Sequence, residues 1–354
     1  MNSPTFAKGD GNPPESVANA VTLAGATDRR RRLGLLRRMA LLCAVLVLVV
    51  TSLSAYIRLS KAGLSCADWP QCYGREFREM QRGLSGAASE REGNAVARPL
   101  HRLVATTTLF LVLAMLMLCL ARRPTLRRET WLAGALLVLA LFLAVLGRWS
   151  GNARVPAVAM GNLLGGFAML ALCWLMAHRG AGSSVPWLRA WAWFCLALLT
   201  FQVALGGLVS ASYAAMSCSG LNDCIAASAG IPWNALDPWR EPALVATSPF
   251  NASGVLIQAA HWLLGLALAP VALLLGLAAV LKGPRRAGLR LIGLLAGELL
   301  LGLLIADNPE ALALTLGHNV VAALLVATTL DLAAGHGCQK GELDLEQPAV
   351  DHRS

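Results

Sequence analysis

Hydrophobic residues in this chain gather into eight runs, 39–57, 99–121, 130–146, 155–177, 190–212, 254–281, 289–306 and 311–334, with charge, proline and glycine returning between them. Each run is near the length that an α-helix needs to cross a bilayer, roughly 20 residues. A backbone in lipid must satisfy its own hydrogen bonds, and a helix does so within a single segment. The pattern therefore predicts an all-α integral membrane protein with eight transmembrane helices. The first run has the outline of a signal-peptide core behind a basic stretch. It is long for that role and lacks an A-x-A exit, so it is read as a retained span.

Composition agrees: of 354 residues, 56% are hydrophobic and 14% charged. The net charge of +10 does not point to nucleic acid, because the basic residues fall between apolar runs rather than along a groove interleaved with aromatics. They cluster at residues 29–38, 122–128, 179–189 and 282–290, all on one side of the bundle. By the positive-inside rule that side is cytoplasmic. Both termini are then cytoplasmic, in the inner (plasma) membrane of a bacterium, with lipid as the surrounding partner. Residues 1–38 are read as a disordered basic tail and 335–354 as a second tail. Two long loops, 60–98 and 213–253, face outward.

Those loops carry two cysteine pairs, Cys66 and Cys72 in SCADWPQC and Cys218 and Cys224 in SCSGLNDC. An oxidising outer compartment permits a disulfide within each pair. A metal site is the competing reading, although C-x5-C is not a usual zinc spacing and neither loop contains histidine. Cys43, Cys119, Cys173 and Cys195 lie in apolar spans and are expected to be small core residues.

The loops also expose an internal repeat. Sliding the chain by 152 lays Ser54 on Gly206 and both cysteines of one pair on the other; 160 lays His101 on His261, and 156 lays Asn162 on His318. The chain reads as two pseudo-symmetric four-helix bundles, 39–177 and 190–334, in parallel orientation, as expected of repeats related by an axis along the membrane normal.

The four matched positions carry the chemistry. His261 and His318 are deep in apolar runs of the same half, where an unpartnered imidazole is costly. Two such imidazoles can clamp heme iron from both faces, which suits electron transfer. In the other half His101 can ligate iron from one side. Asn162 either leaves the opposite face open, as oxygen chemistry requires, or only bonds across helices. Arg58 and Arg102 are positioned to pair with heme propionates or to snorkel toward headgroups. Trp69, Trp233, Trp239 and Trp262 read as an outer aromatic belt. Glu298 is a buried-charge exception to which the sequence assigns no role.

YIRLSKAGLSCADWPQC after the first run, LHR opening the second, QVALGG closing the fifth, and the single histidines His261 and His318 resemble the heme A synthase family, from about residue 39 to 334. The resemblance implies oxidation of the C8 methyl of heme o, by successive hydroxylations, to the formyl group of heme a. It implies heme o as substrate in the N-terminal half, with His101 as the catalytic ligand, and a resident heme b in the C-terminal half. Cytochrome oxidase assembly proteins and heme o synthase are the implied partners. Two positions depart from the family pattern: Asn162 stands where histidine is usual, and Arg98 where glutamate is common. A non-catalytic heme-binding assembly or electron-transfer protein is therefore the alternative. A transporter is the weakest reading, because transporter sites favour the midplane and broken helices.

Overall fold

The computed structural model describes residues 15–82, 92–121, 126–150, 154–178, 185–244 and 250–334. All its regular elements there are helices: α1 Glu15–Ala62, α2 Arg75–Gln81, α3 Glu92–Leu120, α4 Arg127–Ser150, α5 Pro156–Ala177, α6 Pro186–Ala211, α7 Leu221–Ser228, α8 Gly254–Lys282, α9 Arg285–Asp307 and α10 Leu312–Ala333, with a 3-10 turn at Trp233–Leu236. Eight are long and apolar enough to cross a membrane, and each contains or closely matches one of the eight hydrophobic runs. The chain is a multi-pass membrane protein. α5 and α6 begin with Pro156 and Pro186 at the first helical position, where the missing N–H has no intrahelical partner to lose.

Four helices form a closed ring twice over. α1 packs on α3 and α5, and α4 closes against the same two; α6 packs on α8 and α10, and α9 closes against those two. Thus α3 stands opposite α5, and α8 opposite α10. The rings join through α5, which packs on α6 and α10, and through α1 against α10. Leucine, alanine and cysteine fill this interior, with Cys43, Cys119, Cys173 and Cys195 buried and reduced as expected. Large apolar side chains such as Phe110, Val138, Phe201 and Leu303 turn outward, the surface that lipid would cover.

The reading of residues 1–38 as a disordered tail is corrected in part. α1 starts at Glu15 and runs straight into the first span. Its basic stretch has a structural task, because buried Arg32 donates to the carbonyls of Leu118 and Cys119 at 3.0 and 3.3 Å. These are the last acceptors of α3, which have no intrahelical donor. Residues 1–14 and the tail 335–354 lie outside the described residues. At the same end of the bundle, Arg290 lies 3.6 Å from the buried carboxylate of Asp331 and over the Trp174 ring, anchoring α9 to α10 and α5.

The two long loops that carry the cysteine pairs dock on one another. Tyr73 and Tyr213 meet edge to face at 5.8 Å, Trp69 packs on Tyr73, and Phe77 of α2 packs on Tyr213. Trp69 is thus part of a small loop core, not of a lipid-facing belt, whereas Trp233 and Trp239 are exposed. Gly63, with φ of 105°, is required here: a Cβ would come within 2.7 Å of the Cys72 carbonyl oxygen. Burial raises both phenols above their ordinary range, so the hydroxyls stay protonated; the Tyr73 hydroxyl bonds to the backbone at Ala215, which acts the opposite way. Arg78, nearly buried beneath them, donates to the carbonyls of Tyr73 and Gln71.

Candidate functional site

His261 is seven residues into α8 and His318 six residues into α10, at opposite corners of the second ring. Each imidazole is met by a polar side chain from the helix next to it. Gln202 of α6 brings its Nε2 to 3.1 Å from His261 Nδ1 and donates to the His261 carbonyl at 3.0 Å. Glu298 of α9 brings Oε1 to 3.3 Å from His318 Nδ1. In both rings Nδ1 faces the partner, and Nε2 makes no hydrogen bond with a described residue. The tautomer of a ligating histidine is set by the bond its other nitrogen makes. Around these two imidazoles the partners differ in chemistry: the carboxyl oxygen beside His318 Nδ1 suits a tautomer with Nε2 free for a transition metal, whereas the Gln202 amide nitrogen is a donor, so what it fixes is the position of the His261 ring. The two imidazoles supply two ligands only, and among the described residues no cluster of three or more His, Cys, Asp or Glu could hold an ion unaided. The donor set fits a metal that brings its own equatorial ligands.

Glycine makes the room. A Cβ on Gly206 would lie 3.0 Å from His261 Cε1, and one on Gly302 would lie 3.7 Å from His318 Cε1. Gln202 and Gly206 are one turn apart on α6, as Glu298 and Gly302 are on α9, so each pair presents one face. Glu298 thereby acquires the neighbour that sequence reading did not find for it. Gln202 was visible inside QVALGG but had no stated task. The available signal was depth: Glu298 and His318 are nearly equidistant from the α9–α10 turn at Asn308, and Gln202 and His261 lie at similar distances from the outer ends of their helices.

In the first ring, His101 of α3 and Asn162 of α5 occupy the opposite corners. Asn162 is six residues into its helix, the same depth as His318. Neither His101 nor Asn162 makes a hydrogen bond with a described residue. Arg58, near the outer end of α1, has a buried Nε without a partner; Arg102 and Arg98 are exposed.

The cysteine pairs are joined within each long loop. Cys66 bonds Cys72 with Cα atoms 6.5 Å apart, and Cys218 bonds Cys224 at 5.2 Å. The first bridge fastens the segment that carries Tyr73, and the second the segment that leads into α7.

Residues 37–330 match the family described as cytochrome oxidase assembly protein. The chain is 32% identical over 320 residues to a heme A synthase of Shewanella oneidensis, an alignment covering 81% of this chain and 92% of that relative.

Proposed function

From the premise that this chain belongs to the cytochrome oxidase assembly protein family, we propose that it is a heme A synthase, an oxidoreductase that converts heme o to heme a for cytochrome oxidase. The relative that aligns over nearly its whole length bears that name. The substrate is a large flat macrocycle, which a ring of four helices with polar groups at opposite corners is suited to receive. The reaction oxidises the C8 methyl group to a formyl group in successive steps.

The two halves divide the work. In the second half, 190–334, His261 and His318 would hold a resident heme b; the observation that supports this reading is that each imidazole has a polar side chain of the neighbouring helix beside its Nδ1, at 3.1 and 3.3 Å. A heme held by those two imidazoles would supply single-electron transfer. In the first half, 39–177, His101 takes the iron of heme o from one side, while Asn162, a weak ligand, leaves the other side accessible. The unpartnered guanidinium nitrogen of Arg58 and the exposed Arg102 are the cations for the propionates. The loop core around Tyr73 and Tyr213 keeps bulk water from the outer ends of both rings. Basic loops orient the protein with both termini in the cytoplasm of a bacterium, the rings opening toward the outer face of the inner membrane. Heme o synthase, as supplier, and oxidase assembly proteins, as receivers, are its partners.

Purified protein is expected to show a low-spin b-type spectrum, and His261→Ala or His318→Ala to abolish it or convert it to high spin. Retention of the full low-spin spectrum in both variants defeats the assignment. A second reading, a heme-binding assembly factor without turnover, is favoured by Asn162 and Arg98, where the family usually has histidine and commonly glutamate. Hemes extracted from cells expressing an oxidase, with and without this protein, separate the two: heme a appears with the protein only if it turns over.

A further inference from the structure

Gln202 and Glu298 occupy matching places on two different helices. Each projects from the helix next to a histidine-bearing one, brings a polar atom within 3.3 Å of that histidine's Nδ1, and is followed one turn later by a glycine against the imidazole. Neither helix has another reason for such a residue at that depth. A glutamate near the middle of an apolar span is costly, and here Glu298 Oε2 and His318 Nδ1 are both buried without full hydrogen bonds. An amide and a carboxyl in an apolar interior are kept where they are worth more than leucine.

We propose that Glu298 with Gly302, and Gln202 with Gly206, are positioning pairs that fix the ring orientation of His318 and His261, and that Glu298 also sets the tautomer of His318 and tunes the iron these histidines would hold. This rests on the reading of the second half as a bis-histidine heme b site. Glu298 is the stronger of the two, since a carboxyl oxygen can accept from Nδ1–H and so places the lone pair on Nε2, facing the ring interior. A hydrogen bond of that kind makes imidazole a better donor to iron and favours the oxidised state. Gln202 is held in addition by the His261 carbonyl, so it fixes ring position more than electron density. The glycines keep each imidazole close to its partner's helix; a methyl group on Gly206 would press on His261 at 3.0 Å, tighter than ordinary contact.

The test uses the full-length protein loaded with heme b, with three readouts: low-spin spectrum, reduction potential and heme release to apomyoglobin. Glu298→Leu, which removes a buried carboxyl and should insert and fold, is expected to release heme about 10–100-fold faster, the usual scale for losing an outer-shell partner. Its potential should rise. Glu298→Gln, whose amide oxygen still accepts from Nδ1–H, should restore most of the release rate. Gln202→Leu should speed release with a smaller change in potential. If Glu298→Leu and Gln202→Leu both match the parent in release, spectrum and potential, the positioning role is overturned. If Gln at position 298 behaves no better than Leu, the acceptor role fails. Should the parent protein lack a low-spin heme that His318→Ala removes, the heme b reading itself fails, an outcome distinct from either.

Discussion

The two rings share one helix order and one placement of polar residues at opposite corners, but only the second supports those residues from behind. Where Gln202 stands, the 152-residue shift puts Val50, and for Gly206 it puts Ser54; the shift that lays His318 over Asn162 puts Phe142 in place of Glu298 and Leu146 in place of Gly302. Phe142 is more than half exposed and points away, and Leu146 packs against Gly161, beside Asn162. Duplication has thus kept the corners and dropped their supports on one side. An imidazole locked by a second hydrogen bond is pre-organised to keep its metal. One without it can let go. A resident cofactor needs the first arrangement and a substrate that must leave as product needs the second, so the difference between the halves mirrors the division of labour proposed for them.

The largest expected effect follows from this division. In a strain where this protein is the only source of heme a, His101→Ala should lower heme a to background while leaving the low-spin spectrum of the second half intact, because α3 is not part of the second ring. Heme a output unchanged from the parent would remove the substrate from the first half, and the hydroxylase reading with it.

Asn162→His sharpens the same comparison. It restores a second imidazole at the depth of His318, so the first half should acquire a six-coordinate heme, seen as a second low-spin signal and a doubled heme content. With no Glu298-like partner behind it, that heme should be released about 10–100-fold faster than the resident one. Equal release from both halves would show that the supports contribute nothing.

The disulfides come next in size. Each closes a loop of seven residues, and on the chain-entropy model such a closure stabilises by about 2 kcal/mol. Cys66→Ser should cost more than Cys218→Ser, because the first bridge fixes the segment carrying Trp69 and Tyr73 into the loop core. Thermal unfolding followed by Trp fluorescence measures both, and equal losses would mean that docking of the loops does not depend on the first bridge.

Much of this was legible in the sequence because lipid imposes strict demands. The eight runs gave the spans to within a few residues at most ends, since each had to be long, apolar and helical. Cysteine spacing pointed to the pairs that the structure joins. What stayed hidden was contact between elements distant in sequence. Nothing local in α9 says that Glu298 meets His318, and nothing in SCADWPQC says that Tyr73 will lie against Tyr213. The basic stretch before residue 39 has the composition of a tail, and nothing local shows otherwise because its partner, the C-terminal end of α3, is 86 residues away from Arg32. The internal repeat pointed to the corners but not to their supports, because those are the positions the repeat did not preserve.

The smallest effect expected is in the outer loops, and it again separates the halves. In the first loop Asp68 is held by the Arg75 side chain at 3.4 Å, an exposed pair that salt should screen. In the second, Asp223 accepts from the Ser219 backbone N–H at 2.9 Å and from its hydroxyl at 3.0 Å, closing the turn into α7. Those two bonds hold the Asp223 carboxyl below the ordinary carboxylate range, the backbone bond most strongly. A depressed folded value means that the bonds contribute above the unfolded carboxyl value, about 3.9, and are lost as pH falls through the folded one. The protection of amides 219–228, measured relative to the intrinsic exchange rate at each pH, should therefore fall below about pH 4 in the parent, whereas in Asp223→Ala it should already be low at neutral pH; residues 66–75 should respond to added salt instead. Acid sensitivity of 219–228 that survives in Asp223→Ala would assign the effect to some other carboxyl.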